Sequence, residues 1–284
     1  MQVKYVKLIL IMVFQLMCCC SVVADDGSNP EIEVVHYAYA NYLGSGIYRT
    51  TGQDASIINL PFAYDIDTVG KTTYGLRLPL SLGFFDFEIA DIPELDLPSE
   101  VGTATFTPGV ALSYQYSDNL AIETYLDYGY AKNFTSGYNV SIHSAGISSL
   151  YHFDYQELDA IWATRIYYAA YQGNGYSAQD SYAALQVGLD AGLPLKYQVF
   201  SYPFQPRLFA TAFWYFNDVE FNSQKSILNS EVSNVTLSNS VEFGLTFKFD
   251  RVIGYFWAGF DRLGLSYRFS DDFSAFRLLF SFPI

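Results

Sequence analysis

Cysteine is nearly absent from this chain: its 284 residues include three, which are adjacent at Cys18, Cys19 and Cys20. If the first 24 residues are removed on export, the remaining chain contains no cysteine. An exported domain of this kind depends on packing and strand pairing alone, because no disulfide is available to it. Lipidation of Cys19 after processing is an alternative, although the preceding Leu16-Met17-Cys18 lacks the usual small residues.

The first residues have the pattern of a secretory signal peptide. Lys4 and Lys7 precede an apolar run over 8–17, and small residues ending at Ala24 precede an acidic pair. A membrane anchor helix is the alternative, but the run is shorter than the roughly 20 apolar residues that cross a bilayer. The sequence therefore predicts a signal peptide over 1–24, a short segment over 25–33 and one domain over 34–284.

Long apolar runs are also missing after residue 24, where no stretch reaches the roughly 18 residues of a spanning helix. This excludes membrane helices, although 51% of the residues are hydrophobic and only 15% are charged. The apolar residues instead fall in short segments, and the chain is rich in Tyr (25), Phe (24) and Gly (20). That combination is typical of an all-β membrane barrel with aromatic girdles.

Basic residues are scarce, with 15 Lys and Arg against 29 Asp and Glu, which gives a net charge of −14. Removing Lys4 and Lys7 takes the charge from −14 to −16. An acidic chain repels nucleic acid, and the sequence shows no zinc-ligand spacing or phosphate-binding loop. We therefore expect no nucleic-acid partner, metal or cofactor. A soluble acidic β-sandwich would share the charge but would not carry so much Phe and Tyr on its outer faces.

Period-two alternation over about 9–11 residues marks membrane strands. It is clearest over 74–84, 241–249, 263–269 and the last strand, and weaker over 58–66, 104–116, 120–130 and 185–193. Further strands are predicted near 35–48, 141–152, 158–171 and 206–217, which gives a transmembrane antiparallel up-and-down β-barrel of about 12 strands.

The spacers between these strands differ in length. Short turns are predicted at 116–119 and 152–156. The turn at 194–206 and the stretch 250–261 are long for periplasmic connections, and "VIGYFWAGF" within 250–261 is expected to extend the strands there. The long acidic connections 85–102 and 217–237 are both predicted on the outer side of the membrane. Pro61, Pro79 and Pro108 fall inside predicted strands and are expected to mark bulges or strand ends.

The chain ends on the strand "SAFRLLFSFPI". A barrel leaves no sheet edge in lipid, so this strand is expected to pair with the first strand. Phe276, Leu278, Phe280 and Phe282 are predicted to form its lipid-facing side and the recognition signal for the barrel-insertion machinery. The ending departs from the usual terminal aromatic, because Pro283-Ile284 follows Phe282.

Three stretches resemble the solitary outer-membrane autotransporter β-domains of Gram-negative bacteria. They are "NYLGSGIYRTTGQDASIINLPFAY" at 41–64, "YGLRLPLSLGFFDFEIADIPELDLPSEVGTATFTPGV" at 74–110 and "DRLGLSYRFSDDFSAFRLLFSFPI" at 261–284. The resemblance implies an autotransporter-type barrel in the bacterial outer membrane, conventionally of twelve strands, with outer-membrane lipids as its surroundings. It also implies that no long exported passenger is present, because strand signals begin by about residue 35. The family brings no established catalytic residues.

Histidine, the usual general base, occurs only at His36, His143 and His152. His143 is followed directly by Ser144, which does not match the His-x-Ser pairing of a barrel phospholipase. The rim carboxylates Asp86, Glu88 and Asp91 have no predicted histidine neighbour, so an omptin-type protease is not supported either. We therefore expect that this protein is not an enzyme.

Alternation places charged residues on the inner face of the barrel. They are Arg77, Glu123, Asp127, Asp190, Glu242, Lys248, Arg268 and Arg277. One interpretation is a network of ion pairs that neutralises a narrow interior, and the other is a polar pore that selects solutes. Two functions stay open: display of the acidic loops to an unidentified external ligand, or a porin-like channel for small solutes.

Overall fold

The computed structural model describes residues 44–50, 54–85, 102–134, 137, 139–173, 179–199, 202–216, 219–224, 232–237, 239–255, 258–271 and 273–283. The predicted signal peptide, the three cysteines, the segment 25–33, His36 and the loop carboxylates of 86–100 lie outside these residues. Within the described ranges no helix is long and apolar enough to cross a membrane.

The described residues form β-strands whose side chains alternate between buried and exposed. The strands are β1 (Gly46–Thr50), β2 (Asp54–Val69), β3 (Thr72–Phe85), β4 (Thr103–Phe106), β5 (Gly109–Gln115), β6 (Leu120–Asn133), β7 (Asn139–Tyr155), β8 (Leu158–Gly173), β9 (Gln179–Gly192), β10 (Tyr197–Val199), β11 (Tyr202–Tyr215), β12 (Val219–Gln224), β13 (Val232–Leu237), β14 (Ser240–Tyr255), β15 (Ala258–Phe269) and β16 (Phe273–Leu279).

The main sheet closes on itself. Sequential strands pair antiparallel, β9 pairs with β11, and β16 pairs with β1 from Gly46 opposite Arg277 to Thr50 opposite Phe273. Of the 14 strands in this sheet, β4 and β5 are two segments of one wall strand and β10 only extends the edge of β11. The described wall is therefore a closed antiparallel barrel of twelve strands, which confirms the predicted fold class.

The two ends of the barrel differ. The connections after β1, β3, β6, β8, β11 and β15 lie at one end, which we call the loop end, and β12 and β13 form a separate two-stranded sheet there. The other end, the turn end, has the tight connections after β2, β5 and β7, together with Gly44 and the C-terminal residues. Both long acidic connections thus fall at one end, opposite the C-terminus.

The outer surface is layered. A row of leucines runs across four neighbouring strands, with Leu208 opposite Leu245, Leu245 opposite Leu265, and Leu265 opposite Leu278. Aromatic side chains flank this row on both sides. Phe243, Tyr267, Phe269 and Phe276 lie toward the loop end, and Tyr197, Phe204, Phe247 and Phe249 lie toward the turn end. An aliphatic band between two aromatic belts is the surface that fits a bilayer.

The prolines only partly behave as predicted. Pro108 lies in the break between β4 and β5, as expected for a strand interruption. Pro61 and Pro79, however, pair directly with each other without a register shift, and the shift in this hairpin lies between Asp65 and Asp67. Pro79 is tolerated at a position opposite the break, where the Thr107 N–H donates to its carbonyl at 3.2 Å.

Two predicted connections are also corrected. The stretch 152–155 belongs to β7, and the turn consists of Gln156 and Glu157 alone, with Gln156 at a φ of 56°. Within 194–206, β10 and the start of β11 form a hairpin. The extension predicted near 250–261 is present, because β14 continues to Tyr255 and β15 begins at Ala258.

The last strand is shorter than predicted. Phe276 and Leu278 are exposed on the outer face, but β16 ends at Leu279. The prediction that Phe280 and Phe282 continue this face is wrong, because the chain leaves the sheet there and lines the interior instead. The role of these residues as an insertion signal stays a prediction.

Candidate functional site in the barrel interior

A cavity of about 230 Å³ lies in the barrel interior. Its wall includes Arg77, Asp127, Arg165 and Arg277, which are its charged residues within the described part of the chain. Each lies on an inward position of its strand, because neighbours in a strand alternate between the two faces. The cavity brings together side chains from strands that are far apart in sequence.

Arg77 on β3 and Asp127 on β6 form a two-pronged ion pair. The Nε of Arg77 donates to Oδ1 of Asp127 at 3.0 Å, and Nη2 donates to Oδ2 at 3.2 Å. The guanidinium also stacks on the ring of Tyr125 at 4.1 Å. The carboxylate is almost covered, with 2% of the side chain exposed, whereas 33% of the Arg77 side chain is exposed. The surface that this pair presents to the cavity is therefore mostly basic.

Arg277 and Glu242 form a second pair, in which Nη1 of Arg277 donates to Oε2 of the fully buried carboxylate. The other carboxylate oxygen of Glu242 accepts a hydrogen bond from Ser266 at 2.5 Å. Gly44 packs directly against Nη2 of Arg277, where a Cβ would collide with the guanidinium. The Nε of Arg277 is buried and finds no hydrogen-bond partner among the described residues.

Arg268, on the neighbouring strand β15, is buried against aromatic rings. Its guanidinium lies 3.7 Å from the ring centroid of Phe213. Its Nη2 donates to the hydroxyl of Tyr215 at 2.5 Å and its Nε to Ser240 at 3.0 Å. These contacts resemble packing in a protein core more than the lining of an open pore.

A third cluster lies toward the turn end and has Asp190 at its centre. One carboxylate oxygen, Oδ2, accepts from Nε of Arg207 and from Nη1 of Arg262, both at 2.8 Å. Arg207 also donates to Asp159 at 2.7 Å, and Arg262 donates to Thr246 at 3.2 Å. Three of these charged residues, Asp159, Arg207 and Arg262, were not predicted from the sequence. Alternation carried through residues 158–171, 206–217 and 258–262 in the right register would have placed them inward.

The loop-end half of the interior is filled rather than open. Tyr48, Tyr167, Tyr171 and Tyr182 are buried together with aliphatic residues, and Tyr125 and Tyr215 pack against them. The rings of Tyr167 and Tyr182 meet edge to face at 5.8 Å. Wide side chains from facing strands thus occupy the space that would be water in a large pore.

The C-terminal residues enter the interior from the turn end. Residues 280–283 line the cavity, and the carbonyl of Pro283 accepts a hydrogen bond from Nε2 of Gln186 at 3.3 Å. The ring of Phe282 lies 5.0 Å from the guanidinium of Arg262, and the ring of Phe280 lies 6.1 Å from that of Phe260. We call residues 280–283 the C-terminal plug.

The structure brings only some of the predicted inner charges together. Arg77, Asp127 and Arg277 line the cavity, Glu242 and Arg268 lie behind its wall, and Asp190 belongs to the turn-end cluster. Glu123 is half-buried on β6 opposite Ser113 and Ser148, and Lys248 is half-buried opposite Arg262. Most of these charges therefore form ion pairs, as expected for a network that neutralises a narrow interior.

The two described histidines do not join a catalytic arrangement. His143 is exposed on the outer face of β7, with its ring 6.2 Å from that of Tyr168, and His152 is exposed near the turn at 156–157. Across the described ranges, no group of three or more His, Cys, Asp or Glu residues is placed to hold a metal ion.

No protein-family model matches this chain, and no curated protein matches it. Its structure is similar to the β domain of the Bordetella autotransporter BrkA, with a TM-score of 0.49 and 13% identity over 82% of this chain and 94% of that one. It is also similar to the outer membrane transporter YddB from Escherichia coli, with a TM-score of 0.31 and 10% identity over 80% of this chain and 36% of that one. The likenesses concern the fold, which the closed sheet of this chain shows by itself.

Proposed function

We propose that this protein is an integral outer-membrane barrel that acts as a rigid scaffold and holds its acidic loops on the outer side of the membrane. The observation that carries this proposal is the packing of the described interior, where buried tyrosines, ion pairs and the C-terminal plug surround a cavity of about 230 Å³. A barrel whose described interior is packed in this way offers its loops to partners rather than its lumen. The proposal assigns no enzymatic activity.

The layered outer surface supports the membrane location. The leucine row is exposed between two aromatic belts, and its central member Leu265 is 67% exposed. A soluble protein would lose stability by leaving such a band in water. The bilayer removes this cost because its hydrocarbon region is about 30 Å thick and apolar.

The arrangement of the connections supports display. Residues 86–101 carry Asp86, Glu88, Asp91, Glu94, Asp96 and Glu100, without a basic residue. This connection and the one between β11 and β14 follow strands that end at the same end of the barrel. In outer-membrane barrels short turns face the periplasm and long loops face outward, which supports a position of both connections at the cell surface.

Display is tested with epitope tags in a Gram-negative host. One tag is inserted within 86–101, and the control tag is inserted in the turn at 116–119, at the opposite end. An antibody is expected to label intact cells only for the first tag, and both tags after permeabilisation. Labelling of intact cells through the turn at 116–119, with the loop tag silent, would overturn the proposed orientation.

The same scaffold proposal predicts an electrically silent barrel. The refolded protein is added to a planar bilayer, and its heat-modifiable mobility on a gel serves as the control for folding. We expect no stable single-channel conductance. Reproducible conductance from the folded protein would contradict a filled interior.

A small-solute channel is the second candidate, and the C-terminal plug is the observation that favours it. The plug is held by the Gln186 hydrogen bond and the Phe282–Arg262 contact, not by strand pairing. If the plug is what closes a channel, a protein that ends at Leu279 should conduct after refolding in vitro. A shortened barrel that folds and stays silent would eliminate the channel.

A further inference from the structure

The cavity is basic although the chain as a whole has a net charge of −14. The charged residues in its described wall are three arginines and one aspartate: Arg77, Arg165, Arg277 and Asp127. When the buried Glu242 behind Arg277 is included, the arginines still outnumber the carboxylates by three to two. A positive interior in an acidic protein points to a ligand of opposite charge.

The exposure of these groups strengthens this imbalance. Asp127 is covered by Arg77, and Glu242 is fully buried, so neither carboxylate faces the cavity freely. Arg77 keeps a third of its side chain exposed. Arg165 lines the same wall, and its Nε donates to the hydroxyl of Ser148 at 3.0 Å. Three guanidinium groups and one covered carboxylate therefore line the described wall of the cavity.

We propose that the barrel cavity is a binding site for a small oxyanion, in the size range of phosphate or a short dicarboxylate, held by Arg77, Arg165 and Arg277. Guanidinium groups bind such anions through paired N–H donors. This proposal holds for a scaffold and for a channel alike.

The size and shape of the cavity limit the ligand. A volume of about 230 Å³ is below the ~300–1,000 Å³ of pockets for drug-sized ligands, which favours a small ligand over an oligosaccharide or a lipid chain. The aromatic residues Tyr125, Tyr167 and Phe213 and the C-terminal plug also line the cavity. Thr107, Asn59 and Ser45 add polar groups to the same wall. A compact anion with several oxygens suits this mixture of cationic and neutral polar groups.

The proposal is tested by titrating inorganic phosphate into the refolded full-length barrel in detergent micelles. Sodium chloride of equal ionic strength is the reference, and isothermal calorimetry is the readout. We expect saturable phosphate binding that chloride does not reproduce. Absence of saturable binding to the folded wild-type protein would overturn the proposal.

Variants locate the site. Arg165→Gln is expected to weaken phosphate binding about tenfold, since a hydrogen bond to a charged group contributes about that factor, and Arg165→Lys should restore part of the loss. Arg251→Gln removes the same charge from an exposed position on β14 and should bind phosphate like the wild type. Equal binding by Arg165→Gln and Arg251→Gln would refute the assignment.

Asn59→Asp gives a second, independent test that does not depend on removing an arginine. This substitution keeps the volume of a residue in the cavity wall and adds one negative charge there. Phosphate binding should weaken while the heat-modifiable mobility of the barrel is unchanged. A folded Asn59→Asp barrel that binds phosphate as tightly as the wild type would overturn the proposal.

Discussion

The turn-end cluster gives the sharpest stability prediction, because one carboxylate oxygen serves two buried arginines. Replacing Asp190 with alanine removes the 2.8 Å hydrogen bonds from Arg207 and from Arg262. Arg207 keeps Asp159 as a charged partner, but the described hydrogen-bond partner left to Arg262 is the neutral hydroxyl of Thr246. The side chains of Asp190 and Arg207 are 0% exposed and that of Arg262 is 3% exposed, so these groups have almost no contact with solvent in the folded protein.

The expected cost follows from these contacts. A hydrogen bond to a charged group contributes about 1.5–3 kcal/mol, and removing one partner of a buried ion pair costs about 3–5 kcal/mol. We expect Asp190→Ala to lower the free energy of unfolding by about 3–5 kcal/mol. Asp190→Asn should cost less than Asp190→Ala, because its amide oxygen can still accept one hydrogen bond.

The assay is urea unfolding of the refolded barrel in phospholipid vesicles, followed by tryptophan fluorescence. Asp159→Ala is the matched control: Asp159 also pairs with Arg207, at 2.7 Å, but its side chain is 48% exposed. An exposed pair contributes about 0–1 kcal/mol, so the control should unfold close to the wild type. If Asp190→Ala lowers the free energy of unfolding no more than Asp159→Ala does, the buried carboxylate contributes no more stability than the exposed one, and this result would refute the prediction.

Two further predictions concern the bilayer face and the packed interior. Leu265→Arg, in the middle of the leucine row, should lower the free energy of unfolding in vesicles by about 2–4 kcal/mol. Val252→Arg, exposed near the turn end of β14, is the control and should lower it by about 0–1 kcal/mol. Equal losses in the same urea titration would argue against a membrane boundary between these positions. Gly146→Ala should cost about 1–3 kcal/mol, because its Cβ would meet the ring carbons of Tyr125, with Cζ at 2.8 Å. Gly75→Ala meets nothing closer than 3.6 Å and should leave the unfolding midpoint unchanged; a matching loss there would show that glycine itself, not the tyrosine contact, sets the cost.

Much of the barrel wall could be predicted from alternation alone. The segment 74–84 shows why: its leucines point outward, and Arg77, Pro79, Ser81 and Gly83 point inward in the structure as in the pattern. The period of two is a local property of an extended chain, so it is visible without any knowledge of the neighbours. The same holds for 185–193, where Gln186, Gly188 and Asp190 are buried.

The pairing of charges could not be predicted in this way. Arg77 meets Asp127 across 50 residues of sequence, and Asp190 meets Arg262 across 72. Alternation places each of them inward but does not say at which height in the barrel it lies, since height depends on the tilt and stagger of the strands. Arg207 and Asp159 were missed because the register of their segments was ambiguous in the sequence.

The end of the chain shows most clearly which features follow from the local pattern and which depend on tertiary contacts. The run of Phe276, Leu278, Phe280 and Phe282 reads as one face of a continuous strand, and for its first two residues that reading is correct. After Leu279 the chain turns inward, where Gln186 and Arg262 from β9 and β15 receive Pro283 and Phe282. The local pattern thus determined the strands, their faces and the barrel. Only the tertiary structure decided how the described interior is packed and that arginines dominate the charged residues of the cavity within it, because both depend on which inward side chains meet across the barrel.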